Sequence, residues 1–200
     1  MPNRPTVPTD VAARYYVQEW RHGITILSAV HPKEWKDILD ALRAFRLLRS
    51  EILKPGGAKT KGIAGQIDGA LTARGWQEKS FDTKITVDDA PHPSPTHAVD
   101  CYKNRVALEV EWNNKDPFYD HDLNNFRLLF DLRVIDVGVI VTRATELQAI
   151  FNRLGKGKSY GNSTTHFSKL LPRIEGGGGG GCPIVAFAIK KECYIDDIAE

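Results

Sequence analysis

Apolar positions along this chain follow two periods. From Pro32 onward Trp35, Ile38, Leu39, Leu42, Phe45, Leu47 and Leu48 recur at helical spacing to about residue 53, where Lys54-Pro55-Gly56-Gly57 stops the run. Residues 64–74 repeat the pattern with Ile67, Ala70 and Leu71, and Gly75 is a natural C-terminal stop. Helical spacing returns over 119–132 (Leu123, Phe126, Leu129, Phe130) and after Thr142 (Leu147, Ile150, Phe151, Leu154). Ser163-Thr164-Thr165 then caps a helix that runs through Phe167, Leu170 and Leu171 to Pro172. Residues 11–27 predict a short helix, then an extended piece after Gly23.

Strand periodicity appears in the second half of 76–87 and over 105–112. The apolar stretches 134–141 and 183–189 read as buried strands, the first of them parallel. Four segments predict irregular structure: the proline-rich arm 1–10, the proline-rich surface loop 88–95, six glycines at 176–181 and the acidic tail 192–200. The glycine run lacks the Lys-Ser/Thr ending of a P-loop, so it reads as a flexible loop. Together these elements predict a single α/β domain over 1–200, a mixed central β-sheet flanked by helices.

Composition narrows the class without choosing a function. Two hundred residues with 42% hydrophobic content are enough for one domain with a substantial core. A net charge of +2 excludes a polybasic binder, while leaving room for a local basic surface. Cys101, Cys182 and Cys193 form no CxxC and no ligand spacing, so reduced structural thiols are expected. No apolar segment approaches a membrane span, and Met-Pro-Asn-Arg-Pro-Thr has no apolar leader region. A cytoplasmic prokaryotic protein with no membrane partner is the expectation.

The chemistry concentrates between Asp100 and Glu111. Within 105–112 Val106, Leu108 and Val110 take one face of the predicted strand, and Glu109 and Glu111 take the other. A turn near Lys103-Asn104 brings Asp100 back towards Glu109. Alternation alone favours a solvated strand face that carries two glutamates. Convergence of three carboxylates instead suits a hard divalent cation such as Mg²⁺. Asp100, Glu109 and the main-chain carbonyl of Val110 would then hold the cation, with Glu111 as a further ligand or as the group that positions a water for phosphodiester cleavage.

Asp-x8-Glu-x-Glu on a hairpin, ahead of a helix and a buried strand, resembles the PD-(D/E)xK nuclease core. Asp100 followed by Arg105-Val-Ala-Leu-Glu-Val-Glu resembles the BglII/BstYI family of type II restriction endonucleases, and its Glu-x-Glu ending is similar to that of BamHI. The family's usual Gln is replaced here by Glu111, and Val99 stands where a Pro precedes the Asp. The resemblance implies a restriction-endonuclease-like fold, with 83–87 as the strand before the catalytic hairpin. It implies Mg²⁺-dependent cleavage of double-stranded DNA at a short palindrome, with a GATC-centred site as one expectation. It further implies a homodimer and a cognate DNA methyltransferase as functional partner.

The resemblance also places base-reading side chains on two loops, Asn113-Asn114-Lys115 and residues 158–165, including Ser159, Tyr160, Asn162, Ser163, Thr164 and Thr165. Asn114 is the strongest of these, since the resemblance places a base-reading residue there, and Asn can pair with adenine N6/N7. Lys59, Lys61, Lys156, Lys158 and Lys169 are candidate phosphate contacts, with a solvated surface charge as the competing reading. Glu51 reads as a solvated helix residue, with an upstream carboxylate for the metal site as the alternative. His92 and His97 are expected to be exposed, His121 and His166 near DNA. Two other readings stay open at this level: a non-catalytic DNA-binding protein on a nuclease fold, and a structure-selective repair nuclease.

Overall fold

The computed structural model describes residues 6–55, 62–93 and 96–198. In chain order the elements are α1 (Thr9–Ala12), β1 (Tyr15–Trp20), α2 (Gly23–Val30), α3 (Pro32–Ala44), β2 (Leu47–Leu48) and α4 (Arg49–Leu53). There follow α5 (Ala64–Thr72), β3 (Gln77–Lys79), β4 (Lys84–Val87), β5 (Ala90–Pro93), β6 (Val99–Lys103) and β7 (Val106–Glu111). The last third holds α6 (Phe118–Asp131), β8 (Val137–Arg143), α7 (Leu147–Arg153), α8 (Phe167–Glu175), β9 (Ile184–Ile189) and β10 (Tyr194–Ile195).

Six strands form a mixed sheet in the order β1-β9-β8-β7-β6-β3. Its centre is parallel (β7, β8, β9), and β1, β6 and β3 join antiparallel. Both faces are covered. Val106, Leu108 and Val110 of β7, with Val137, Val139 and Val141 of β8, share one core with α2, α3, α5 and α7. The opposite core packs Ala107, Ile140 and Ala186 against α6 and α8. On that face α6 approaches β8 closely at Gly138. A Cβ at Gly138 would fall 2.3 Å from the Phe126 ring, which explains glycine there.

The order predicted for 11–27 is reversed. Tyr15–Trp20 is a strand, because all six of its residues pair with β9, and the helix comes after Gly23. Arg21 and His22 turn the chain with φ of 53° and 61°. Gly23 then starts α2 against β9, where a Cβ would lie 2.7 Å from Val185. The helix predicted to reach residue 53 stops at Ala44. Arg14 donates to the carbonyls of Arg43 and Phe45, and the Tyr15 hydroxyl donates to Leu42 O at 2.8 Å, satisfying the carbonyls that a helix end leaves open. Leu47 and Leu48 then pair in parallel with Tyr194 and Ile195.

Five other expectations are corrected. Residues 83–87 do not precede the catalytic hairpin within the main sheet; β4 pairs with β5 in a separate ribbon and β3 takes the edge. The proline-rich segment is therefore partly strand, since β5 lies at an edge where missing N–H groups cost nothing. Pro172 does not end its helix, which continues to Glu175. Residues 176–181 are ordered turns packed on α6 and β9: Gly178 N–H donates to Arg173 O at 2.9 Å, and a Cβ on Gly179 would meet Ile184 at 2.4 Å. The acidic tail is docked as well, with Asp196 paired to Arg49 at 3.0 Å and Asp197 accepting from Ser50 N at 2.9 Å. All three cysteines are free and buried.

Candidate active site

Two residues in left-handed conformation, Asn104 and Arg105 (φ 43° and 67°), close the β6–β7 hairpin. Arg105 also anchors the turn from below through Asp136, its Nε 2.8 Å from Oδ2. The ladder pairs Lys103 with Val106, Tyr102 with Ala107 and Cys101 with Leu108. One step further the pairing changes character. Asp100 N–H donates to Glu109 Oε2 at 3.1 Å, and Val110 N–H donates to Asp100 Oδ2 at 3.0 Å. Carboxylates take the donors that carbonyls would otherwise receive, so Asp100 and Glu109 are interlocked where the hairpin opens.

Glu111 lies two residues on, on the same face as Glu109, and both are buried at 5% exposure. A cleft of about 300 Å³ gathers Asp100, Glu109, Glu111, Asn114, Asp122, His97, Ala98, Phe118 and His121. The turn outlined at Lys103-Asn104 therefore brings together the three acids singled out in the sequence. Asp122 is a fourth, supplied by α6. Its signal was legible: Tyr119, Asp122, Phe126 and Leu129 share the inward stripe of α6, and an acid on such a stripe is out of place unless it has a function.

The electrostatics follow from crowding acids in a buried space. Burial raises the Glu109 carboxyl well above its ordinary range, and the charges of Asp100 and Asp122 raise it further. Glu111 is raised by burial and then Asp100, against which the Asn114 amide pulls it down. Asp122 is raised by burial and by Glu111, which lies close enough for a proton to bridge the two carboxyls. Among the described residues, no Lys or Arg lines the cleft to offset this charge. As the side chains stand, no three His, Cys, Asp or Glu among the described residues are close enough to hold a metal ion. The donor set nonetheless fits a hard cation, being all carboxylate oxygen, and one Asp122 oxygen, Oδ2, is buried with no hydrogen-bond partner. The Val110 carbonyl accepts from Trp112 N at 3.1 Å and sits between the two glutamates.

Glu51 is not in the cleft; its carboxylate pairs with Lys54 on α4. The upstream helix acid near Asp100 is Asp68 of α5, raised to about 7 by burial and by the Asp100 charge, with the Cys101 thiol 3.9 Å away. His97 and His121 meet at the cleft mouth, ring centroids 3.2 Å apart and planes tilted by 45°. Burial and the neighbouring His97 lower the His121 pKa.

The two loops expected to read DNA lie together beside the cleft. Lys115 bridges Thr164, Thr165 N–H donates to Asn114 O at 2.8 Å, and Asp116 N–H donates to Ser163 O at 3.1 Å. Asn114, Lys115, Lys158, Ser159, Asn162 and Ser163 are exposed there, and Asn113 and Lys156 half-buried. Tyr160 is a correction: its ring is fully buried, stacked on Phe151 at 4.1 Å. Thr164 and Thr165 are also buried, Thr164 accepting from Arg143 at 3.0 Å and Thr165 facing the Glu111 carbonyl. Their side chains build the loop from inside. Lys169 is paired with Asp116 at 2.9 Å and donates to Asn162 O, so its charge is already engaged. His166 is buried, its pKa lowered to about 4 by burial. Lys59 and Lys61 lie outside the described residues.

A protein-family model described as restriction endonuclease BglII/BglIII matches residues 15–189. The chain belongs to this family. It is accordingly a type II site-specific deoxyribonuclease, acting on double-stranded DNA in a restriction system. Restriction endonucleases of this kind generally use a divalent metal. The match runs from the first residue of β1 to the last of β9, so it spans the whole six-stranded sheet together with the acidic cleft. Comparison with curated proteins gave no match. Among the described residues no helix is long and apolar enough to cross a membrane.

Proposed function

We propose that this BglII/BglIII-family nuclease uses Mg²⁺ at the Asp100–Glu109–Glu111 cleft to hydrolyse both strands of a short palindrome, as a homodimer, leaving 5′-phosphate and 3′-hydroxyl ends. The observation that carries the site assignment is the interlock of Asp100 and Glu109 at the open end of the hairpin, with Glu111 on the same face. Asp100, Glu109 and the Val110 carbonyl are the groups that would hold the cation. When bound, the cation supplies positive charge against the phosphate oxygens and acidifies the attacking water.

The chain's own groups do the rest. Glu111 takes the place where a lysine often stands in such sites, and as a buried carboxyl of raised proton affinity it is suited to accept the proton of the attacking water. That water forms the new bond to phosphorus while the bond to the 3′ oxygen breaks, which yields the stated ends. Asn114, exposed beside the cleft, supports adenine recognition, and Lys115, Lys156 and Lys158 support backbone contacts. A cognate methyltransferase would protect host DNA at the same sequence.

The test is plasmid cleavage in Mg²⁺ by wild type and Glu109→Gln, with DNA binding measured in Ca²⁺. Discrete fragments from wild type, none from the variant, and retained binding by both support the assignment. Full cleavage by the variant overturns it. End-mapping on the same plasmid reads out the recognition sequence and the end chemistry, and a preference for branched DNA would indicate a structure-selective enzyme instead.

A further inference from the structure

Arg143, the last residue of β8, is 1% exposed, and an arginine that deep ordinarily has a carboxylate beside it. Among the described residues none pairs with it. Strand alternation explains the isolation. Arg143 follows Val137, Val139 and Val141 on the face covered by α7, whereas Glu109 and Glu111 face α6 and its Asp122. The guanidinium lies over the Phe151 ring, 5.4 Å from its centroid, and its Nε is buried without a hydrogen-bond partner. Burying an unpaired charge is costly, so the groups that its other donors reach call for an explanation.

Those donors reach a single loop. One terminal nitrogen donates both to Tyr160 O and to Thr164 Oγ1, each at 3.0 Å. The Thr164 hydroxyl in turn donates to Gly161 O at 2.9 Å, and Thr164 N–H donates to the same carbonyl at 3.1 Å. Both ends of the turn are thus tied from beneath, and Asn162 and Ser163 stand exposed at its crest. Thr164 also bridges Lys115, and Thr165 N–H donates to Asn114 O, so the same anchor carries the neighbouring loop. A guanidinium is planar with donors at fixed angles, which a lysine ammonium does not reproduce.

We propose that Arg143 is a positioning residue for sequence recognition. It does not meet DNA; it holds the 160–164 turn so that Asn162, Ser163 and, across the bridge, Asn114 are presented in one fixed geometry. The proposal rests on the reading that these two loops contact the bases. The acids of the cleft stand on β6, β7 and α6, so a weakened anchor leaves cleavage possible and lowers discrimination, since a reader free to tilt accepts more than one base.

The experiment is cleavage in Mg²⁺ of a duplex DNA pool with a randomised core, with the ends sequenced. The proteins are wild type, Arg143→Lys, Thr164→Val, Thr164→Ser, the double variant Arg143→Lys/Thr164→Val, and three readers cut back singly, Asn114→Ala, Asn162→Ala and Ser163→Ala. Arg143→Lys keeps the charge and removes the planar fork. Thr164→Val keeps the shape and removes the hydroxyl, so it tests the anchor even where Arg143→Lys fails to fold, and urea denaturation reports folding. In Thr164→Val the ratio of cleavage at the preferred site to cleavage at sites with one altered base pair should fall by about tenfold, the scale of one hydrogen bond to a charged group. Thr164→Ser should restore the ratio, and the double variant should be no worse than the worse single one, as expected of two groups in one contact. A variant that is merely less stable would cut less of every site at an unchanged ratio. If Thr164→Val behaves so while a reader variant lowers the ratio, the anchor is wrong and the loop reading stands. If no variant moves the ratio, both fail.

Discussion

Both carboxylate oxygens of Glu111 accept hydrogen bonds from the side-chain amide of Asn114, at 3.3 and 3.1 Å. The residue proposed to read a base thus also holds the carboxylate proposed to accept the proton of the attacking water. The amide favours the charged form of Glu111, opposing its burial. Asn114→Ala should therefore raise the pKa of Glu111 and move the acid limb of the pH–rate profile to higher pH. A hydrogen bond to a charged group is worth about 1.5–3 kcal/mol, so the expected displacement is about one to two pH units. Single-turnover cleavage across pH checks this. An unmoved limb would separate Asn114 from the chemistry.

Stability of the metal-free protein should fall as pH rises through neutrality. The folded-state pKa values of Glu109, Glu111 and Asp122 are raised, and Asp68 is raised to about 7. Between the unfolded carboxylate range near 4 and these raised values, the folded state binds more protons than the unfolded one, so each added pH unit costs stability. The salt-bridged Asp136 and Asp116 act oppositely, their pKa values lowered by Arg105 and Lys169, and their contribution is lost only as pH falls through those lowered values. A maximum in melting temperature at mildly acidic pH is expected in EDTA, with Ca²⁺ shifting it upward in pH. Scanning calorimetry in both buffers measures it.

Gly138→Ala should weaken the fold and the site together. Its new Cβ would lie 2.3, 2.6 and 2.8 Å from three atoms of the buried Phe126 ring, so α6 has to move outward. Overpacking of this kind costs about 1–3 kcal/mol, readable in urea denaturation. Since α6 carries Asp122 into the acidic cleft, DNA cleavage in Mg²⁺ should slow in the folded variant as well.

Tyr160 distinguishes a core residue from a DNA contact. Its ring packs between Trp112 and Phe151, with centroids at 6.0 and 4.1 Å. Tyr160→Phe should leave DNA affinity and its salt dependence unchanged, while Tyr160→Ala should cost about 3–5 kcal/mol through the cavity it leaves. Fluorescence anisotropy with duplex DNA and chemical denaturation test the two halves.

The acids were legible in the sequence because strand periodicity is local: Glu109 and Glu111 alternate with Val106, Leu108 and Val110, and a short turn returns Asp100. What was hidden depends on distant partners. Tyr15–Trp20 is a strand because residues 184–189 lie beside it, and Leu47-Leu48 leave their helical pattern because Tyr194-Ile195 pair with them. The glycine run reads as slack until Ile184 and Arg127 of α6 are seen to leave no room for a Cβ at Gly179 and Gly180. Tyr160 sits in a polar loop and still faces inward, because a loop that leans on β8 needs its own apolar anchor. Asp122 shows a different limit. Its place on the inward stripe was visible, but a helix pattern does not tell which strand residues it will face.

The position of β9 in the sheet bears on how the enzyme comes into being. It lies between β1 and β8, although it is the last of the six strands to leave the ribosome. Until residue 189 has emerged, β1 has no strand to pair with and β8 presents an open edge. Most of the sheet's long-range pairing is therefore deferred to the end of synthesis, as expected for contacts far apart in sequence. A chain interrupted before that point carries every acid of the cleft on a sheet that still lacks its β1–β9 and β8–β9 pairings, so the fold closes only after its last long strand is made.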